Sequence, residues 1–411
     1  MQIPRDLSRR MQETVEQTPL VDIYERLMPE SKRIDQRFDL ISWFLAYAGI
    51  EIQSLGLKAE DLALLGNING DPEQRWKLLS FHWPSIRTTG LGRVVMRMAW
   101  DLFDAEEIND RTWKDISARL WNASKKGFYE DILRQRADVI VTLVDNAIDP
   151  DTRSCCAPIY SYDRLLAIRY RPDLESLARE FDQPCTIVEQ LDALVAKSVQ
   201  KAASEGCISF KIGGLPDLEL PSREQVGWAL GRVLGRDEPD RGHLARRAVE
   251  PALPGYLLHR LLSLVGRAGI PLQVHIENNA DVERLGALAA KVPQVRFVGV
   301  FAGYGNAFAL LALARRLPNL VLALGDVWCT APRLARDTLA SWIQGVPSSK
   351  LFAFSGSTTV VEAVMACAKM AREQIATVIA ELVAGGSLDE QDASLVIQRI
   401  MFKNAQAYFG V

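Results

Sequence analysis

The chain has 411 residues, 48% hydrophobic and 24% charged, with 48 Lys and Arg against 51 Asp and Glu, for a formal net charge of -3. That apolar share excludes a disordered chain, and the near balance of charge leaves no basic footprint for nucleic acid or an anionic membrane. The length allows about two to three domains, or one α/β barrel carrying insertions. Only 4 His are present, few for any site built on several imidazoles.

The opening MQIPRDLSRRMQETVEQTP is polar and lacks the apolar core of a signal peptide. The 6 Cys show no CxxC spacing, which argues against zinc ribbons and disulfide frameworks and for a cytoplasmic protein with mostly buried thiols. The uncharged run 297–314 is broken by Gly299, Gly303, Gly305 and Asn306, so strand, loop and helix suit it better than a membrane span.

In chain order, 20–23 reads as a strand after Pro19. From about 31 to 130 no strand pattern appears, whereas 36–54, 73–82, 91–104 and 110–120 carry helical apolar spacing, with a turn at 67–72. Residues 138–144 and 165–170 read as strands and 186–205 as a helix. Then come strand 207–212, a charged excursion over 213–250, helix 256–269, strand 271–276, helix 280–292 and strand 295–301. Helix 307–316, strand 319–324, helix 332–344, strand 350–355 and helices 359–383 and 389–407 complete the pattern. Eight strands alternating with helices predict a (β/α)8 TIM barrel with a helical insertion after strand 1 and C-terminal helices. The barrel takes 1–30 and 131–411, and the helical cap 31–130. An open doubly wound sheet is the weaker alternative, since no strand leads into GxGxxG or a P-loop.

Strand alternation assigns the faces. Ile208, Phe210 and Ile212 suit the helix layer, leaving Cys207, Ser209 and Lys211 inward. Leu272, Val274 and Ile276 do the same, leaving Gln273, His275 and Glu277 inward. Polar ladders ending at Lys211 and His275 on successive strands are expected at the barrel mouth, where such enzymes place their chemistry.

The tracts TPLVDIYERLMPE (18–30), WPSIRTTGLGR (83–93), SFKIG (209–213), PLQVHIE (271–277), FAGYGNA (301–307), SKLFAFSGS (349–357) and KNAQAYFG (403–410), in this order and spacing, carry a resemblance. The chain resembles the amidohydrolase superfamily, in its uronate isomerase-like and amidohydrolase-2-type branch. The resemblance implies a metal-dependent barrel, with His-x-His after strand 1, a His on strands 5 and 6 and an Asp on strand 8. Many members add a carboxylated Lys on strand 4. Carried across, the His-x-His pair falls on Tyr24 and Arg26, the strand 6 His on Phe301, and the strand 8 Asp on Ser357, or on Gly356 with a slip of one. Only His275 and Lys211 stand at their family positions. A cationic Arg26 among would-be ligands repels a dication, so no metal and no other cofactor are expected.

A metal-independent enzyme acting on a small anionic molecule is therefore expected. Arg26 and Arg87 would clamp the anion, with Tyr24, Phe301 and Ser357 lining its site. His275 would act as acid and base, oriented by Glu277 or Asp326. Lys211, desolvated and flanked by a cation, would serve as base or Schiff-base nucleophile. Proton transfer beside a carbonyl, as in isomerase or lyase chemistry, suits this set better than hydrolysis. The alternative is an inactive amidohydrolase paralogue serving as a binding or assembly subunit. A third reading is a metal-dependent hydrolase using Asp22, Asp145, Glu277 and Asp326. A homodimer, or a hetero-oligomer with an active homologue, is the expected assembly.

His82, His243 and His259 lie off the expected mouth, and Cys155 with Cys156 reads as buried thiols or a loop pair. The mixed-charge stretch 232–247 reads as a solvated loop, or a lid.

Overall fold

β1 (Leu20–Glu25) is buried over its full length, as befits a parallel strand covered on both faces. The computed structural model describes residues 3–36, 38–145, 147–235, 252–303 and 305–411. His243 and most of the 232–247 cluster lie outside these. The chain divides into two compact units.

The first unit comprises Met1–Ala157, Ala323–Ala407 and Val411. In it β1 pairs in parallel with β2 (Val139–Val144), and Thr142 N–H donates to Cys155 O at 2.9 Å, just before β3 (Cys156–Pro158). The segment from Phe354 to Thr358 follows β9 (Leu351–Phe352) and meets β1 through Ile23 N–H to Phe354 O. Between β1 and β2 the chain is helical, with its longer helices at Leu40–Ser54, Pro72–Ile86, Gly90–Phe103 and Trp113–Ala123. The first three are capped by the side chains of Asp39, Asp71 and Thr89: Asp39 accepts from Ser42, Asp71 from Glu73 and Thr89 from Gly92. The helices Arg5–Glu16, which buries Leu7, Met11 and Val15, and Ala59–Gly66 carry no expectation from the sequence. The first keeps a four-residue apolar spacing within an otherwise polar segment, and the second is too short to display a period.

The second unit comprises Pro158–Leu322 and Tyr408–Gly410. β4 (Tyr160–Ser161), β5 (Phe210–Ile212), β6 (Leu272–Ile276) and β7 (Phe297–Phe301) pair in parallel or follow in that order, and β8 (Leu320–Leu324) lies beside β7. One sequence expectation fails here. Residues 165–170 are not a strand: Asp163–Leu166 is helical, and the strand is the two-residue β4, where Ser161 pairs with Lys211. A two-residue strand shows no alternation, whereas LLAIRY mimics one. The face assignment for β5 holds, since Phe210 packs edge-on against Tyr160 and Tyr162, and the Tyr162 hydroxyl meets Ser198 of helix Val188–Ser204. Tyr408 returns to this unit: its hydroxyl donates to Phe297 O at 3.3 Å, and Arg296 lies 4.7 Å over its ring. None of the described helices is long and apolar enough to cross a membrane.

The first unit is pinned by a buried ion pair. Arg33 Nη2 meets Glu362 Oε1 at 2.6 Å, with side chains 3% and 0% exposed, and Trp43 Nε1–H donates to the same oxygen at 3.3 Å. Removing one partner of such a pair strands the other charge in the interior. Arg33→Ala is expected to lower the unfolding free energy by about 3–5 kcal/mol, whereas the double change Arg33→Met with Glu362→Leu loses much less. Urea denaturation of the three proteins checks this.

Candidate active site

The first unit gathers carboxyl groups at the end of β1. Asp22 and Glu25 are three positions apart and in a regular strand face opposite ways. Here Asp22 pairs with Thr142 and Glu25 with Val144, so β1 holds one residue more than β2 between the two pairings. This bulge turns Glu25 to the side of Asp22. Both side chains are 0% exposed. Asp22 Oδ1 accepts the Tyr24 N–H at 3.2 Å, and Glu25 Oε2 accepts the Thr358 N–H.

Burial pushes the Asp22 carboxyl up to about 7. Burial, then the charge of Asp22, pushes Glu25 well above the usual carboxylate range. Two adjacent carboxyls in a dry site favour holding one proton between them. Asp326 follows β8 in the same unit, and burial raises it to about 6 against the opposing charge of Arg26. Its Oδ1 is buried with no hydrogen-bond partner among the described residues.

Arg26 is the cation of this group. Its backbone N–H donates to Thr358 O at 2.9 Å, and its Nη2 and Nε donate to Ser357 O at 2.9 and 3.3 Å. Ser357 itself sits in the left-handed region at φ 57° and donates its N–H to Tyr24 O at 3.1 Å. The role found for Ser357 is thus a backbone one, as the anchor of Arg26. Tyr24 is 1% exposed, and its hydroxyl donates to Asp145 Oδ2 at 3.2 Å.

The metal site implied by the family resemblance does not fit this unit. At Gly356 a Cβ would collide with Glu25 Oε1, so no side chain carboxylate has room there. The guanidinium of Arg26 donates to the Ser357 carbonyl. Among the described residues no group of three His, Cys, Asp or Glu is arranged to hold a metal ion.

The second unit carries its own polar group. Lys211, 8% exposed, places Nζ at 2.5 Å from Asp163 Oδ2, and Asp163 Oδ1 accepts the Gly213 N–H at 2.5 Å. The expected neighbour of Lys211 was a cation; the structure corrects this to a carboxylate. Asp281 likewise accepts the N–H groups of Leu215 and Glu277, at 3.4 and 3.2 Å. Asp163, Asp281 and Glu277 line an open cavity of about 1040 Å³, with Arg169 and Arg232 on its wall. His275, 8% exposed, and Phe301, 1% exposed, end β6 and β7. Glu277 is exposed.

Arg87 belongs to the first unit, is exposed, and lines two clefts with Trp83, Glu107 and Ile108. The tract after it is seated tightly, because a Cβ at Gly90 would strike the carbonyl of Cys329. Of the remaining histidines, His82 packs edge-on to Phe81, and His259 Nε2 lies 3.2 Å from Leu218 O. All 6 cysteines are buried, and none is in a disulfide.

No protein-family model matches the chain, and no curated protein matches it in sequence. Solved structures do. A uronate isomerase from Thermotoga maritima superposes with a TM-score of 0.80 at 14% identity, over 99% of this chain and 98% of that one. A glucuronate isomerase from Caulobacter crescentus gives 0.77 at 14% identity, over 99% and 95%. A uronate isomerase from Bacillus halodurans gives 0.73 at 14%, over 100% and 97%.

The raised carboxyls predict a pH dependence of stability. The folded protein binds more protons than the unfolded chain between the ordinary carboxylate value and about 7, so Asp22 contributes most stability in acid and loses it as pH rises through that window. The unfolding free energy of Asp22→Asn, relative to the native chain, is expected to rise from pH 4 to pH 7 and then level off. Denaturant titrations at a series of pH values read this directly.

At these identities the likeness carries the fold: the chain is a (β/α)8 barrel of the kind seen in the uronate isomerases, with helices inserted after β1 and further helices at its C-terminal end.

Proposed function

We propose that the chain is an amidohydrolase-like enzyme that moves a proton on a small anionic substrate using its own side chains, without a metal. The observation that supports this reading most is Asp326: a buried carboxyl displaced to about 6, with one oxygen unbonded, under the field of the Arg26 guanidinium. A base in that range is ionised at neutral pH and still basic enough to accept a proton from a carbon acid beside a carbonyl. Arg26 spends two N–H groups on Ser357 O. The rest of its fork remains for a carboxylate, the anion its planar geometry matches. Asp22 and Glu25, with one proton between them, hold the charge behind it low. Holding a substrate carboxylate while a proton leaves one carbon and returns to a neighbouring atom of the same substrate amounts to isomerisation; if instead the base keeps the proton and a β-substituent departs with its bonding electrons, the result is elimination. Lys211, ion-paired with Asp163 in the second unit, gives up the base and Schiff-base role expected of it.

The uronate isomerases that share the fold make D-glucuronate the first substrate to try. Asp326→Asn is expected to lower kcat by about 100-fold or more, and Arg26→Ala to raise KM by about 10-fold or more with a smaller change in kcat. In the native enzyme kcat/KM should climb with pH through about 6, as Asp326 loses its proton. Turnover unaffected by Asp326→Asn removes that residue from the chemistry. A native protein that neither binds nor converts D-glucuronate or other small carboxylates returns the reading to a binding or assembly subunit.

A further inference from the structure

We infer that Glu25 is the positioning residue for the anion anchor: seated over Gly356, its carboxyl holds residues 356–358 in the one conformation in which the Ser357 carbonyl grips the Arg26 guanidinium.

The argument starts from Ser357. A non-glycine residue in the left-handed region, here at φ 57°, persists only where its surroundings dictate it. Three contacts with the end of β1 do so: Ser357 N–H to Tyr24 O at 3.1 Å, Arg26 N–H to Thr358 O at 2.9 Å, and Thr358 N–H to the Glu25 carboxyl. The first two are backbone to backbone and available to any sequence. The third needs a side chain acceptor of Glu length on the bulged side of β1, and it needs position 356 to be Gly, since any Cβ there takes the space of Oε1. Glu25 and Gly356 are therefore one fitted pair. A Glu25 side chain that is 0% exposed, lying beneath the segment it holds, acts on a bound anion only through that segment. The consequence is carried by the carbonyl of Ser357, which fixes both Nη2 and Nε of Arg26 and so sets the direction in which the remaining N–H groups point. An Arg free to sample its rotamers binds an anion at an entropic cost that a tethered one has already met.

This inference deepens the proton-transfer reading, in which Arg26 binds the substrate, but its test needs no substrate. The Arg26 Nε–H is observed in nitrogen-15 spectra of the full chain and assigned by its loss in Arg26→Lys. Hydrogen-bonded to Ser357 O, it is expected to exchange slowly with water. Glu25→Ala should speed that exchange by about tenfold or more, and Gly356→Ala, which leaves Glu25 in place but displaces its carboxyl, should do the same. Glu25→Gln, with the same shape and an acceptor for the Thr358 N–H, should restore slow exchange. A role in general stability alone would leave the folded-state signal unmoved. Native exchange in Gly356→Ala overturns the inference, as does native exchange in Glu25→Ala; should the latter not fold, Gly356→Ala and Glu25→Gln decide between them. Failure of this test leaves the role of Asp326 standing, and failure at Asp326 leaves this test readable.

Discussion

Two carboxyls side by side in a buried strand are costly, and the first unit is arranged around meeting that cost. Removing a carboxylate from water without a partner is far more unfavourable than losing any one backbone hydrogen bond. Asp22 and Glu25 meet it by holding one proton between them, by accepting the N–H groups of Tyr24 and Thr358, and by standing near the charge of Arg26. Each of these fixes something else. The bulge in β1 exists so that the pair can form, position 356 has no side chain because Glu25 fills its place, and Arg26 finds its carbonyl because the 356–358 segment is held down. In this unit charge organises the backbone, rather than the backbone presenting charge.

The second unit solves a related problem with different means. There Asp163 and Asp281 each take backbone N–H groups from the loops that follow β5 and β6, and Asp163 adds the ammonium of Lys211. A carboxylate held by several donors is fixed in place. The same residue type thus sits against another acid in one unit and anchors loop backbone in the other, decided by which groups surround it.

Much of the architecture was legible in the sequence, because parallel strands buried on both faces announce themselves as β-branched runs and the helices between them keep their 3.6-residue period. Residues 138–144, 271–276, 307–316 and 319–324 were assigned within a residue or two. The strand at Tyr160–Ser161 was not, since two residues carry no period and its burial comes from partners distant in sequence. The site divides the same way. Tyr24, Arg26 and Ser357 stood out because they occupy positions where the resembled family keeps other residues, and Lys211 because it stands where the family keeps its lysine. Glu25, Asp163 and Gly356 did not. Glu25 reaches its place through a bulge that period-2 reasoning sets on the wrong face, Asp163 lay in a segment read as the approach to a strand, and the meaning of Gly356 exists only once Glu25 is placed. Lys211 was found, yet its partner was mistaken because that partner was hidden in the misassigned stretch.

The course of the chain through the two units has a consequence for how it must be made. The first unit draws on both ends of the sequence, and the second, though almost continuous over Pro158–Leu322, also takes in Tyr408–Gly410. Arg296 waits for the ring of Tyr408, and Phe297 O for its hydroxyl, across more than a hundred residues. During synthesis the final contact of the second unit forms only after nearly all of the first has been made. No single cut in the sequence yields either unit whole. The two bodies are interleaved along the chain, so neither is a module that a single junction could exchange.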